Sequence, residues 1–297
     1  METKMKKNNK ETDDENNLMD PKIDFTFKEL FGHNTTNFIN LANAILNLDG
    51  DKKIKSVTFL NGEMSKDKKE DRGARLDVLA ELNDESFLNI EMQRNDYKDF
   101  EQRSTFYFSK IYASQLKETE LFHELKPVIV INILDFEMYE HTKNFHTKLI
   151  IVDADNRDTR LNHYYETHFL EIPKFKKTCY DKTSPQEKWM LFFKEPKQET
   201  LKELAMHSQE IAQAFESLEI LSKNPKKRAE YEARKKELLD IRNGMYVNRK
   251  EGKEEGIVEG ETRKALQTAK NLKTMKIMTM EQIAKATGLT LEQVKEA

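Results

Sequence analysis

Residues 75–93 read Arg75-Leu-Asp-Val-Leu-Ala-Glu-Leu-Asn-Asp-Glu-Ser-Phe-Leu-Asn-Ile-Glu-Met-Gln93, and this stretch decides the fold. It predicts two apolar β-strands joined by a short polar turn, with Asp77 in the first strand and with Glu91 and Gln93 at the end of the second. Because strand side chains alternate between faces, Glu91 and Gln93 share one face. A carboxylate inside each of two apolar strands is costly unless something compensates its charge. A divalent cation held by oxygen ligands is the simplest such partner.

The length of the turn decides whether the two carboxylates meet. A two-residue turn at residues 84–85 would pair Asp77 with Met92, and Asp77 and Glu91 would then point to opposite faces. An Asp-Glu pair is also unfavourable in a type I′ turn. A three-residue loop at residues 83–85 pairs Asp77 with Glu91 instead, and directly opposed Cβ atoms lie about 5 Å apart. We therefore predict a three-residue loop or an equivalent bulge.

Such a pair of acids suits Mg²⁺, which binds one or two carboxylates together with water and substrate phosphate. The amide of Gln93 can hold an attacking water or a phosphate oxygen, but it cannot act as a cationic acid. From residue types alone, a hairpin with one acid per strand facing solvent explains the pattern equally well. The apolar residues Phe87, Leu88 and Ile90 on both faces of the second strand favour a site.

The bulk composition sets limits on the class of protein. A chain of 297 residues, with 35% charged residues and a mean hydropathy of −0.82, allows one well-solvated large domain or a domain with an appendage. The net charge of −3 gives no reason to expect nucleic acid, although a local basic surface stays possible. Cys179 is the only cysteine, which excludes an intrachain disulfide and a cysteine-based zinc site. These features and the lack of a membrane-length apolar run predict a cytoplasmic protein with no membrane association.

The order of the remaining patterns predicts an α/β fold with a mixed central sheet flanked by helices. Helices are expected at residues 23–31, at 35–48 with Thr35 or Thr36 as the cap, and at 100–116. Strands are expected at residues 54–60, 126–135, 145–152 and 165–172. The continuous β-branched run in residues 126–135 is typical of a central strand that is buried on both faces.

The rest of the chain divides into a leader and an all-helical C-terminal extension. Residues 1–19 are charged and Asn-rich, so we expect a disordered leader before a core at residues 20–175. Helices at 186–193, 199–221 and 226–242 predict an extension over residues 176–243 that packs on the core. Residues 244–297 are expected to form a charged arm and a tail of two short helices. Gly252, Gly256 and Gly260 lie on one side of the arm and predict a weak or hinged helix, since each glycine costs ~1 kcal/mol relative to alanine.

Four segments of the sequence resemble the PD-(D/E)XK nuclease superfamily, and most of all its branch of recombination-promoting nucleases, also described as PD-(D/E)XK family transposases. The resemblance spans residues 20–175. The segments are Asp20-Pro-Lys-Ile-Asp-Phe-Thr-Phe-Lys-Glu-Leu-Phe-Gly32, Arg75-Leu-Asp-Val-Leu with Glu91-Met-Gln93, Arg103-Ser-Thr-Phe-Tyr107 with Tyr112-Ala-Ser-Gln-Leu, and His168-Phe-Leu-Glu-Ile-Pro-Lys-Phe175.

The resemblance implies a restriction-endonuclease-like core that cleaves DNA phosphodiesters with Mg²⁺, or with Mn²⁺ or Ca²⁺ in its place. It also implies a link to DNA recombination and mobile elements, with a role in defence against foreign DNA. By the same resemblance, Asp77 and Glu91 are the metal-binding pair, the Met92 carbonyl is a further ligand, and Gln93 stands where the family has a catalytic lysine.

Residues outside the hairpin are expected to support this site. Lys28 is more often a surface residue in such a position, but it would supply the missing cation if its helix crosses the site. Asp24 and Glu29 would add a carboxylate through a water. Arg103 and Tyr107 lie one helical turn apart and can face DNA phosphate or the site together. In the alternative interpretation, Arg103 pairs with an acidic neighbour and Tyr107 belongs to the core.

Three functions stay open at the level of sequence. The first is a metal-dependent DNA endonuclease, which we expect to be a homo-oligomer through its C-terminal helices because one site cuts one strand. The second is a catalytically weak or inactive nuclease-like module that binds nucleic acid or protein, which gains from Gln93 and the acidic balance. A strand-transferring transposase ranks last, since no further acidic motif supports it.

Overall fold

The computed structural model describes residues 18–64, 74–117, 119–176 and 183–297. Its contacts divide the chain into two units, Met1–Glu232 and Ala233–Ala297. The first unit contains a six-stranded sheet of order β1-β4-β5-β6-β8-β7 and a two-stranded ladder, β2-β3. The strands are β1 (Val57–Leu60), β2 (Glu63–Met64), β3 (Ala74–Arg75), β4 (Val78–Leu82), β5 (Phe87–Gln93), β6 (Val128–Leu134), β7 (His146–Val152) and β8 (Arg160–Glu171).

The sheet is mixed, as the sequence predicts. Strand β5 pairs antiparallel with β4 and parallel with β6, while β8 pairs parallel with β6 and antiparallel with β7. Strand β6 lies between two parallel neighbours and is almost entirely buried, which confirms its predicted central position. Its run of valine and isoleucine suits a strand that is covered on both faces.

The hairpin of β4 and β5 has the predicted register. Val78 pairs with Ile90 and Glu81 with Phe87. The N–H of Leu82 donates to the Ser86 carbonyl at 2.8 Å, so three residues, 83–85, form the loop. Glu85 closes the loop in the left-handed region with a φ of 66°, as expected for the last residue of a three-residue hairpin loop. Strand β4 begins at Val78, so Asp77 directly precedes the strand instead of lying inside it.

The described residues form nine α-helices. They are α1 (Asp24–Phe27), α2 (Thr35–Leu46), α3 (Phe100–Ala113), α4 (Pro185–Lys194), α5 (Gln198–Met206), α6 (Gln209–Lys223), α7 (Pro225–Met275), α8 (Met280–Thr287) and α9 (Leu291–Glu296). Helix α3 packs on the face that carries Leu79, Val128 and Val130. The adjacent residue Val78 faces the other way and approaches Gly32, where an added Cβ would lie 3.4 Å from it. The N-terminal helices therefore cover the face opposite α3.

Several predicted boundaries differ from the structure. Helix α2 is capped by the Asn34 side chain, which accepts from the Asn37 N–H, and not by Thr35 or Thr36. The helix expected at residues 199–221 is two helices, because Ser208 caps α6 and interrupts the run.

The boundaries of the predicted leader and of the predicted C-terminal arm also differ from the structure. The leader expected at residues 1–19 lies outside the described residues except for its last two, and of these Met19 is buried and donates its N–H to Ser222 Oγ at 2.9 Å. The helix expected at 226–242 continues to Met275, so the glycines of the arm lie within an uninterrupted helix.

The second unit has its own small core. Ala269 of α7 packs against Ile283 of α8 and Val294 of α9. The two short helices flank Gly288, which has a φ of 71° as expected at a helix C-terminus, and both predicted tail helices are confirmed. Among the helices that the structure describes, none is at once long enough and apolar enough to cross a membrane.

Candidate active site

Asp77 and Glu91 converge at the open end of the β4–β5 hairpin. The backbone N–H of Asp77 donates to Glu91 Oε1 at 3.1 Å, and the N–H of Met92 donates to Asp77 Oδ2 at 3.0 Å. Glu91 thus accepts from the backbone of Asp77, and Asp77 accepts from the backbone of the residue that follows Glu91. This reciprocal pairing follows from the three-residue loop, since a shift by one residue would send the two side chains to opposite faces.

Asn89 fixes the orientation of Glu91. Its Nδ2 donates to Glu91 Oε1 at 3.0 Å, and both side chains are buried. Oε1 therefore holds two donors, whereas Oε2 accepts no hydrogen bond from the described residues. Asn89 was missed at the level of sequence, although the alternation of residues 89, 91 and 93 on one face of the strand was the available signal.

Lys28 reaches the acidic pair from the N-terminal helices. Its Nζ lies 3.2 Å from Asp77 Oδ1, the oxygen that no backbone N–H holds. Lys28 begins a π-helical turn, Lys28–Gly32, directly after α1. The close approach of Gly32 to Val78 brings this turn onto the start of β4. The turn therefore places the Lys28 ammonium beside Asp77, and the expected role of Lys28 stays a prediction.

The electrostatics of the pair show a shortage of positive charge. Burial raises the pKa of Glu91 to about 8, and the nearby charge of Asp77 adds to this rise. Burial also raises the pKa of Asp77, which the Lys28 ammonium and the Met92 N–H offset only in part. A smaller contribution in the same direction comes from the charge of Asp24. Near neutral pH the pair therefore retains a proton, and one ammonium does not neutralise two carboxylates in this setting.

The donor set fits a hard divalent cation. Within the described residues, no three or more His, Cys, Asp or Glu side chains are grouped to hold a metal ion. The oxygens at hand are the carboxylates of Asp77 and Glu91, and Mg²⁺ commonly uses one or two carboxylates with waters and substrate phosphate. Met92 lies in the strand beside both acids, with its N–H engaged by Asp77.

The other predicted site residues lie around this pair in different ways. Gln93 is half-buried, and its Nε2 donates to the Asn95 carbonyl at 3.3 Å, in the turn that follows β5. Arg103 donates through Nη2 to the Tyr107 hydroxyl at 3.3 Å. Within the described residues, Arg103 and Tyr107 form no hydrogen bond or ion pair with the two acids, and Arg103 forms no ion pair. Tyr107 is half-buried and packs against the core beneath α3.

Two open cavities have Arg75 as a common lining residue. One, of about 250 Å³, is lined by Lys28, Asp77 and Arg75 among others. The second, of about 710 Å³, is lined by α3 and again by Arg75. The first cavity therefore gives access to Asp77, and the second lies along α3.

Comparison with known proteins agrees with this geometry. Residues 21–247 match the family described as PD-(D/E)XK nuclease family transposase. No curated protein and no solved structure proved similar to the chain. The match covers well over half of the 297 residues, including α1, the β4–β5 hairpin and the whole sheet. The chain belongs to the PD-(D/E)XK nuclease family transposases.

Proposed function

We propose that this protein is a metal-dependent DNA endonuclease that acts in DNA recombination, in the movement of mobile elements or in defence against foreign DNA. One observation carries the proposal. Asp77 and Glu91 meet on one face of the hairpin, each oriented by a backbone N–H, with the Lys28 ammonium 3.2 Å from Asp77. Two acids brought together at this energetic cost, with an ammonium beside one of them, suit a cation and an anionic substrate.

Asp77, Glu91 and the Met92 carbonyl would hold Mg²⁺, with Mn²⁺ or Ca²⁺ as substitutes. Bound there, the ion lowers the pKa of water and offsets negative charge on a phosphodiester. Asn89 and the Asp77 N–H keep Glu91 Oε1 in place, which leaves Oε2 for the ion. Asp77 Oδ1 is its counterpart, since Oδ2 accepts from Met92.

Lys28 takes the part of the lysine that Gln93 replaces. Its ammonium lies next to Asp77 and is 28% exposed, so it can reach a phosphate oxygen without leaving the site. An ammonium in this place stabilises negative charge that develops on the phosphate. Gln93 positions the attacking water or a phosphate oxygen through its amide. Asp24 supplies a further carboxylate through a water.

Nicking of supercoiled plasmid DNA tests the proposal. Purified full-length protein is incubated with plasmid and with Mg²⁺, Mn²⁺ or Ca²⁺ in turn, beside Asp77→Ala and Glu91→Ala. Asp51→Ala is the matched control, because this acid is exposed on a surface turn. We expect wild type and the control to nick alike and both site variants to lose nicking. Wild-type protein that is inactive with every ion, or site variants that nick as well as wild type, would refute it.

Gln93 favours a second candidate, a weak or inactive nuclease-like module that binds nucleic acid or protein. Its amide donates to the Asn95 carbonyl and brings no positive charge. This candidate retains the fold and loses the metal. Binding of Mg²⁺ by wild type, and its loss in Asp77→Ala, would decide for the enzyme.

Self-association through the second unit would supply a second active site for the second DNA strand. Helix α7 exposes large apolar side chains there, including Tyr246 and Val258 at 71% and 63% exposure. Sedimentation of the full chain tests this, with Tyr246→Glu as the variant expected to weaken the assembly. A wild-type protein that sediments only as a monomer at micromolar concentration would contradict it.

A further inference from the structure

The cavity beside α3 has the chemistry of a nucleotide-binding cleft. Its volume of about 710 Å³ lies within the usual range of ligand pockets. The residues that give it this character are aromatic, cationic or amide-bearing: Arg75, Tyr97, Gln102, Arg103, Phe106 and Tyr107.

Aromatic rings in the cleft offer flat surfaces to a base. Tyr97 is 42% exposed, and its hydroxyl accepts from Asn95 Nδ2 at 3.3 Å, which holds the ring at the edge of the cleft. Tyr107 and Phe106 are half-buried on α3 and pack against the core below, so their positions are fixed. Bases stack on such aromatic side chains with little dependence on base identity.

The guanidinium of Arg103 is already arranged for an anion. It lies 5.3 Å from the centre of the Phe100 ring and 5.8 Å from that of Tyr107, and it donates to the Tyr107 hydroxyl. Within the described part of the chain, neither Arg103 nor Arg75 forms an ion pair. Asp99 also lines the cleft, so two guanidinium groups face one carboxylate there. The balance favours a phosphate, which guanidinium binds with matching geometry.

Arg75 and the segment that follows β5 connect the cleft with the acidic pair. Arg75 lines both this cavity and the one that contains Lys28 and Asp77. The chain itself makes a second connection, because residues 93–99 lead from the end of β5 to the start of α3. The Gln93 amide donates to Asn95, and Asn95 in turn donates to Tyr97.

We propose that this cleft binds an unpaired nucleotide of DNA next to the cleaved phosphodiester, so that single-stranded or flapped DNA is preferred over plain duplex. The base stacks on Tyr97 and the rings of α3, and the adjoining phosphate pairs with Arg103 and Arg75. In a duplex the base is held within its stack and cannot enter the cleft. This inference rests on the proposed function, because cleavage next to the bound nucleotide requires the nuclease activity.

Binding measured without divalent metal tests the inference apart from catalysis. Fluorescence anisotropy of a labelled oligonucleotide in EDTA gives the Kd of the full-length protein for single strands and for the duplex of the same sequence. We expect wild type to bind the single strand at least about tenfold more tightly, since stacking contributes ~1–3 kcal/mol per base. Tyr97→Ala is expected to remove about tenfold of that preference, and Tyr97→Phe to retain it. Phe122→Ala, at an exposed aromatic residue that does not line the cleft, is the matched control and should leave the ratio unchanged.

The phosphate contact has its own readout. Arg103→Gln should weaken binding of the single strand and reduce the slope of log Kd against log salt concentration by about one contact. Equal affinity of wild type for single strand and duplex, no binding of either, or a Tyr97→Ala ratio like that of wild type would overturn the inference. A single-strand preference in a protein that nicks no DNA would support the cleft while refuting the proposed enzyme. Plasmid nicking without the preference would do the reverse.

Discussion

Two groups of buried carboxylates lie on this sheet, and they differ in how fully neighbouring groups compensate their charge. Glu171 is fully buried, pairs with Lys174 Nζ at 2.8 Å and accepts from the backbone N–H groups of Met138 and Tyr139. The Glu171 carboxylate and the Lys174 ammonium therefore compensate each other. Asp77 and Glu91 are also withdrawn from water, yet among the residues that the structure describes their one cationic contact is Lys28.

Glu166 repeats the first pattern on β8. Lys148, Arg160 and His168 contact its two oxygens at 2.7, 3.1 and 2.9 Å. Burial alone would raise the pKa of Glu166, but the hydrogen bonds from His168 and Lys148 outweigh it and hold the pKa at about 2. Burial raises the pKa of Glu91 to about 8, and the hydrogen bonds from Asn89 and the Asp77 N–H offset this rise only in part.

The difference separates acids that stabilise the fold from acids that are available to a ligand. A buried carboxylate with a full set of donors adds to specificity and costs little. A buried pair that keeps a proton is unfavourable until something positive arrives, and such groups cluster at functional sites. The same residue type thus supports structure in one place and, on our proposal, metal binding in the other.

The largest expected effect is on stability and compares two isosteric changes. Glu171→Gln leaves Lys174 buried without a counter-charge, which should cost about 3–5 kcal/mol of unfolding free energy. Glu91→Gln removes a charge that burial already disfavours, so the change should stay within about 1 kcal/mol. Urea denaturation in EDTA measures both. Similar losses for the two variants would end the distinction.

A smaller effect concerns the Lys28 ammonium beside the acidic pair. Lys28→Met should lower plasmid nicking about 100-fold, because it removes the ammonium that stabilises charge on the phosphate. Lys52→Met, an exposed lysine, serves as the control. If Lys28 does the work of the lysine that Gln93 replaces, then Gln93→Lys should restore at least about tenfold of the loss in the Lys28→Met protein. If Lys28→Met leaves nicking unchanged, Lys28 does not do the work of the lysine that Gln93 replaces.

The smallest effect is a pH dependence of the thermal midpoint without metal. Between pH 6.5 and 8 the folded protein keeps the proton of Glu91, whose pKa is about 8, while the unfolded chain has lost it above pH 4.5. Stability from this group therefore falls as the pH rises through that window. His146 affects the stability only below this pH window, because burial lowers its pKa from 6.5 to about 4. The midpoint should thus drop by a few degrees from pH 6.5 to 8 in wild type. Glu91→Gln should be flat there, and an equal slope in that variant would contradict the assignment.

The register of the hairpin could be predicted because only a two-residue or a three-residue loop was considered, and each loop length allows one pairing of the strands. Pairing of Asp77 with Glu91 followed from counting residues across the three-residue loop. The central position of β6 followed from its β-branched run. Membership of the family was visible in the same residues and in the segment around Lys28.

What escaped prediction depends on tertiary contacts. The approach of Lys28 to Asp77 needs the π-helical turn and the close packing of Gly32 on Val78, which no local pattern encodes. The part of Asn89 becomes clear only when Glu91 is seen to use one oxygen for two donors. The break before α6 had a local signal, since Ser208 is a favourable cap, but the apolar run through residues 199–221 concealed it.

Calorimetric titration of the full-length protein with Mg²⁺ at pH 7 tests the central claim most directly. It is run in two buffers of different ionisation enthalpy, beside Asp77→Asn. We predict one binding event that releases close to one proton, because the acid pair must give up its proton to hold the ion, and no such event in Asp77→Asn. Absence of Mg²⁺ binding by wild type, or binding that Asp77→Asn leaves intact, would contradict the account.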